Sequence, residues 1–356
     1  MVRAPGAAGI DRGDTSPGLT PAAQALMVAV KLAPSTCSTV GASHADAAYK
    51  EPDTMAISLQ DWHNMGRLRT LAGHSIFTLD SGPDDDRPTV LLLHGYPTSS
   101  WDWEAIWSRL QPDFRLVALD LLGFGFSAKP YPHPYLISEQ ANIVEALVSE
   151  LELTQFHVLA HDYGDTVAQE LLTRQNARET PQWLSLCLLN GGLFPETHRA
   201  RLIQKMMLTP MGPLITALLK EKQLHKTMNK LFGPHSQPDT TLIHGFWEAI
   251  DHNKGRRVLN KLISYIPQRV VNRERWVDAM KHSVAPIGLI NGAVDPVSGA
   301  HMVARYLEVL GEPAFLLSLP TIGHYPQVEA PDDIAEGYRE FLQRVSTQSL
   351  HQAEQA

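Results

Sequence analysis

From Gly66 onward, short apolar runs bounded by turn residues alternate with stretches of helical periodicity, and this pattern predicts a mainly parallel sheet with helices on both faces. Eight strands can be placed, near Arg67 to Leu71, His74 to Asp80, Thr89 to His94, Arg115 to Asp120, Phe156 to Ala160, Leu184 to Asn190, Pro286 to Asn291 and Ala314 to Leu319. The last five are short and apolar, as strands covered on both faces must be. Between Gly191 and Ala285 the period-two pattern stops and helical spacing takes over. The predicted helices there run from His198 to Leu208, Pro213 to Leu231, Thr241 to His252, Lys254 to Tyr265 and Val270 to Lys281, broken by Pro210, Pro234 and Pro267.

The organisation that follows is a flexible extension or targeting segment over residues 1–54, a core over 55–193 and 285–345, a helical cap over 194–284, and a tail over 346–356. The extension is rich in Ala, Gly, Pro, Ser and Thr and lacks sustained periodicity. Its weakly apolar run from Ala22 to Val30, closed by Lys31, with Ala45 as a conceivable cleavage site, admits a targeting peptide; Asp11 and Asp14 speak against one, and Met55 offers an alternative start. No run is long enough to predict a transmembrane segment. A net charge of −8 gives no basic footprint for nucleic acid or an anionic membrane. Two cysteines, Cys37 and Cys187, argue for a reducing compartment, so the expected location is cytoplasmic, with a cleaved leader as the alternative.

Composition leaves the chemistry open; one turn narrows it. Phe156 to Ala160 reads as a buried strand and Thr166 to Arg174 as a helix, with His161-Asp162-Tyr163-Gly164 between them. In such a strand-turn-helix elbow the central residue is exposed on strained backbone, so its neighbours two positions away must be small, as Ala160 and Gly164 are. A serine is usual at that point. An aspartate instead attacks carbon, forming an alkyl ester that water must later cleave.

The partners for that chemistry follow later strands. Asp295, in Gly292-Ala293-Val294-Asp295-Pro296, comes after the seventh strand, and His324, in Gly323-His324-Tyr325-Pro326, after the eighth. The chain order is nucleophile, acid, base. Asp295 would fix the imidazole tautomer while His324 takes a proton from water. After the third strand, His94-Gly95-Tyr96-Pro97 forms a turn whose Tyr96 N–H, with that of Tyr163, could meet the oxyanion; His94 would brace the loop. In isolation each of these is an ordinary turn or a satisfied polar residue; the joint placement past strand ends carries the argument. Two decoys are set aside. The glycines of Gly123-Phe124-Gly125 lack a third and open no helix, and no strand precedes Ser43. His157 and His161 are too far apart in an extended strand to share an ion, so neither metal nor cofactor is expected.

With these motifs in place, the segment from Val90 to Glu329 resembles the α/β-hydrolase superfamily, in the branch of epoxide hydrolases and haloalkane dehalogenases. The strings His161-Asp162-Tyr163-Gly164-Asp165-Thr166-Val167-Ala168-Gln169-Glu170 and Asn190-Gly191-Gly192-Leu193-Phe194-Pro195-Glu196-Thr197-His198-Arg199, with Tyr265, Gln268 and Arg275-Trp276, resemble the mesoderm-specific transcript protein family. The resemblance implies an α/β fold with an eight-stranded, mostly parallel sheet and an inserted cap, and the Asp162, Asp295, His324 assignment. It also implies that a cap tyrosine protonates an opening epoxide, and Tyr265 is the sole tyrosine of this cap. Haloalkane dehalogenases are expected to bind halide through a Trp after the nucleophile and an Asn in the His-Gly-x-Pro turn. Here Tyr163 and Tyr96 take those places, leaving Trp247 or Trp276 to contribute. Asp165 stands where related epoxide hydrolases carry glycine, and its place in a first helical turn predicts an outward, dipole-facing role. The expectation is a hydrolase acting on a small apolar epoxide, or an alkyl halide, with water as second substrate. A weakly active binding protein on the same fold is the alternative from another class.

Overall fold

Strands β3 (Thr89–Leu93) and β5 (Phe156–His161) are buried along their whole length and pair in parallel at the centre of the sheet, Leu93 opposite Ala160. They were visible as apolar runs because both faces are covered. The computed structural model describes residues 56–82, 87–178, 182–199 and 201–355, and side chains as far as residue 347. The sheet has eight strands in the order β1-β2-β4-β3-β5-β6-β7-β8. The other strands are β1 (Arg67–Leu71), β2 (His74–Asp80), β4 (Arg115–Leu119), β6 (Trp183–Leu189), β7 (Ile287–Gly292) and β8 (Phe315–Leu319). All eight predicted strands are present within a residue or two of their expected ends. Only the β1–β2 and β2–β4 pairs are antiparallel.

Helices cover both faces. One face packs α3 (Ile137–Glu150), α4 (Tyr163–Asn176) and α11 (Ala300–Leu310) over Leu91, Val117 and Val158. The other packs α1 (Leu59–Met65), α2 (Glu104–Leu110) and α12 (Pro331–Gln355) over Val90, Leu92 and Leu159. Cys187 fills this second core. The connections leave β3 in one direction and β5 in the other, so the strand order reverses between them. In an open α/β sheet that reversal opens a crevice at the carboxyl ends of the strands.

Between β6 and β7 the chain forms α5 (Leu202–Met207), α6 (Gly212–Ala217), α7 (Glu221–Met228), α8 (Thr240–Asp251), a 3-10 segment (His252–Val258), α9 (Leu259–Leu262) and α10 (Tyr265–Lys281). Three expectations change here. The helix predicted from Pro213 to Leu231 divides in two near Leu218 to Lys220. Tyr265 begins α10 rather than ending the helix before it. Pro267 sits in the first turn of α10, where its missing N–H removes no intrahelical bond, so it starts the helix instead of breaking it. No helix among the described residues is long and apolar enough to cross a membrane. The predicted targeting segment and Cys37 lie outside the described residues.

Candidate active site

Asp162 stands at the turn between β5 and α4 with φ 47° and ψ −99°, a conformation rarely adopted by residues other than glycine. The strain persists because the chain on each side is fixed: His161 closes a buried strand and Tyr163 opens a buried helix. Two glycines admit the close approach. A Cβ on Gly164 would lie 2.2 Å from the Leu93 carbonyl oxygen, and one on Gly95 would lie 2.5 Å from the His161 ring. The β3 turn and the elbow can therefore press together. As a result the Tyr96 N–H donates to Asp162 Oδ2 at 3.1 Å.

The loops after β7 and β8 bring the other two groups to the same carboxylate. His324 Nε2 lies 4.0 Å from Asp162 Oδ2, and His324 Nδ1 lies 2.8 Å from Asp295 Oδ2. Asp295 also accepts the N–H groups of Val297 at 2.7 Å and Ser298 at 3.1 Å, and the Asn190 amide at 3.0 Å. Burial raises the Asp295 carboxyl, but the His324 charge and these hydrogen bonds outweigh it and hold the pKa at about 2. For His324, burial pushes the imidazole down, while the charge and hydrogen bond of Asp295 and the charge of Asp162 hold it up at about 9.

The three residues predicted from the sequence are thus brought together, all within 5% of full burial. Asp162 and His324 face a largely apolar cavity of about 90 Å³, room for several waters or a small organic group. Its walls include Tyr96, Pro97, Tyr265, Trp247, Met207 and Met228. Met206 and Met211, nearby in the chain, are on the surface instead. Tyr265 is buried, and no hydrogen bond engages its hydroxyl among the described residues. Burial first, and the Asp162 charge second, raise its pKa well above the ordinary phenol value, so it stays protonated.

Other predicted residues take different parts. Trp276 does not reach the cavity; its indole N–H donates to Glu170 at 2.9 Å, and Arg275 pairs with the same carboxylate, so the pair clamps α10 onto α4. The Tyr163 ring turns inward against Phe124 and Tyr265, with its hydroxyl 3.4 Å from the Gln140 amide nitrogen. It therefore offers no phenol to the cavity, and Tyr96, whose hydroxyl is 3.5 Å from Met207 Sδ, stands there instead. His94 and Gly95 do not line the cavity. His94 Nε2 accepts the Leu121 N–H at 3.0 Å while Nδ1 lies 2.9 Å from the Gly95 carbonyl, which ties the β3 turn to the β4 turn. Asp165 is fully buried against Gly191 and not outward, because α4 is covered on nearly every side. Burial and then the Asp162 charge raise its pKa well above the ordinary value, so it adds little negative charge to the site.

Arg269 was not anticipated. It lies on α10 four residues after Tyr265 and is 1% exposed. Nε donates to Thr166 at 2.7 Å, Nη2 donates to the Asp162 carbonyl at 3.0 Å and lies 3.7 Å from Asp162 Oδ1, and the guanidinium sits 4.5 Å over the Tyr265 ring. It supplies positive charge beside the buried Asp162 carboxylate and a platform for the phenol. The i, i+4 spacing of Tyr265 and Arg269 was the available signal, since such pairs share a helix face. Away from the cavity wall, His74, His133 and Glu139 bring ligand-type atoms within 4.8 Å of one another, and both imidazoles hydrogen-bond to Glu139.

Residues 88–178, which hold the β3 turn and the elbow, match the family described as alpha/beta hydrolase fold. The chain is 41% identical over 300 residues to the Bos taurus mesoderm-specific transcript homolog protein, covering 82% of this chain and 90% of that one. This chain belongs to the mesoderm-specific transcript protein family, a branch of the α/β-hydrolases. Haloalkane dehalogenase 2 of Mycobacterium bovis is 25% identical over 255 residues, 70% of this chain and 85% of that one. In structure the chain is similar to a loop variant of haloalkane dehalogenase DbeA from Bradyrhizobium elkanii, with TM-score 0.67, 21% identity and coverage of 81% of this chain and 99% of that one. This last likeness concerns the fold. The likeness to the mesoderm-specific transcript family reaches through the inserted helices, where Tyr265 and Arg269 lie.

Proposed function

We propose that this family member hydrolyses a small apolar epoxide to a diol through an ester on Asp162. The observation that carries the reading is a buried carboxylate on a cavity wall, 3.1 Å from the Tyr96 N–H and 4.0 Å from His324 Nε2, with Tyr265 lining the same cavity. In the first step an Asp162 oxygen forms a bond to an epoxide carbon while the carbon–oxygen bond breaks. The Tyr265 O–H gives its proton to the departing oxygen. Arg269, over the Tyr265 ring, steadies the phenolate that forms.

In the second step His324 takes a proton from water, and hydroxide adds to the carbonyl carbon of the ester. The Tyr96 N–H donates to the oxyanion, whose collapse expels the alkoxide; the proton of the new carboxyl passes to that alkoxide, giving carboxylate and diol, and the proton on His324 returns through water to the Tyr265 phenolate. The 4.0 Å between His324 and Asp162 is too long for a hydrogen bond and leaves Nε2 open to a water. The charges support the sequence of steps. Ester formation abolishes the Asp162 charge that helps hold His324 near 9, so its pKa falls and more of the imidazole is neutral and able to take a proton once the ester exists.

Carbon–halogen hydrolysis by the same carboxylate is the second reading, and the name of the Mycobacterium bovis relative favours it. Against it, the residue after the nucleophile is Tyr163, and Trp276 is turned into the α4–α10 interface, which leaves Trp247 alone on the cavity wall. Tyr265→Phe separates the two. Epoxide turnover is expected to fall by about a hundredfold or more, the usual contribution of a positioned acid, with halide release little changed. Unchanged epoxide turnover would remove Tyr265 from the mechanism. Inertness of the wild-type chain toward a broad epoxide and haloalkane panel would favour a binding role.

A further inference from the structure

The helices over the cavity expose an apolar face of unusual density. Leu202, Met206, Leu208, Met211, Leu214 and Leu218 are each between 41% and 73% exposed. Fourteen large apolar side chains are exposed among the described residues, and six fall within these 17 positions, so they are concentrated along this stretch and not scattered. The charge of the region also departs from that of the chain. Residues 201–230 carry Arg201, Lys205, Lys220, Lys222, Lys226 and Lys230 against Glu221 alone, in a protein of net charge −8. The five lysines are exposed, and among the described residues none forms an ion pair, while Glu221 is taken up by His244.

The apolar and cationic groups adjoin the cavity. Arg201, Leu202, Met206, Lys226 and Lys230 line one surface groove, and two of its other walls, Ile203 and Thr227, also line the cavity that holds Asp162. We propose that this face docks on an anionic phospholipid bilayer, with the leucine and methionine side chains in the interfacial region and the lysines on the headgroups. Charge selects the occupant. A second copy packed symmetrically on the same patch would set two strongly cationic faces against each other, whereas an anionic lipid surface complements both components. On the epoxide reading above, the docked cavity would draw its apolar substrate from lipid; the docking itself does not depend on that reading.

Flotation of the purified full-length chain with phosphatidylcholine vesicles, with and without about one third phosphatidylserine, tests the proposal. The chain is expected to float with the phosphatidylserine vesicles and far less with phosphatidylcholine alone. K205E/K226E/K230E is expected to lower partitioning by about tenfold or more, and L202S/M206S/L214S/L218S to do likewise, with the melting temperature of both variants kept. Asp162→Asn, which tests the chemistry, is expected to float like the wild type, so failure of the catalytic reading would remain distinguishable. Three results would overturn the docking: no flotation with phosphatidylserine vesicles, unchanged flotation of both surface variants, or a wild-type dimer in solution that the four-serine variant dissolves.

Discussion

Asp162→Asn is expected to fold normally and to lose about four orders of magnitude in turnover, the scale seen when a residue of a concerted nucleophilic unit is removed. The substitution is isosteric, and the amide oxygen can still accept the Tyr96 N–H that now reaches Oδ2 at 3.1 Å. What it removes is the anionic oxygen that attacks carbon. Steady-state turnover on whichever panel substrate the wild type consumes, beside a thermal melt, checks both parts. Retention of more than about a tenth of the activity in a folded variant would show that another group performs the attack.

Arg269→Met is expected to cost about 3–5 kcal/mol of stability, as does removal of one partner from a buried charged cluster. Methionine preserves much of the apolar stem but none of the hydrogen bonds to Thr166 and the Asp162 carbonyl. It also leaves the buried Asp162 carboxylate without the cation that lies 3.7 Å from its Oδ1. The strained elbow depends on its surroundings to hold it, so the same variant should lose turnover through misplacement of Asp162 and Tyr265. Urea unfolding measures the first effect. A loss below about 1 kcal/mol would mean that the guanidinium is not what balances the buried Asp162 carboxylate.

Much of this architecture was legible because the central strands are buried on both faces and leave continuous apolar runs, bounded by turns. The three groups at the site were legible for a related reason. Asp162, Asp295 and His324 each follow directly after a strand, so placing the strands placed the side chains. Residues whose role depends on long-range packing gave no such signal. Arg269 reads as an ordinary helix cation until α10 is laid against α4, and Asn190 becomes a partner of Asp295 only when β6 and β7 lie side by side. Asp165 was misread because a first-turn acid usually faces solvent, whereas this helix is enclosed by the sheet and α10. Trp276 was misread because an indole on an inserted helix can face either the cavity or a neighbouring helix, and periodicity alone does not choose. The division of the helix near Leu218 to Lys220 carries neither Pro nor Gly, so it reflects packing and not local propensity.

The ester on Asp162 is the claim on which the functional account rests, and intact-mass spectrometry of His324→Gln after incubation with a mixed epoxide and haloalkane library tests it most directly. Without the imidazole, attack proceeds while hydrolysis of the ester stalls. The account predicts a stable adduct, mapped by peptide fragmentation to Asp162, whose added mass equals that of an intact epoxide or of a haloalkane less its hydrogen halide. An unmodified His324→Gln protein, after long exposure to a compound the wild type consumes, would contradict it.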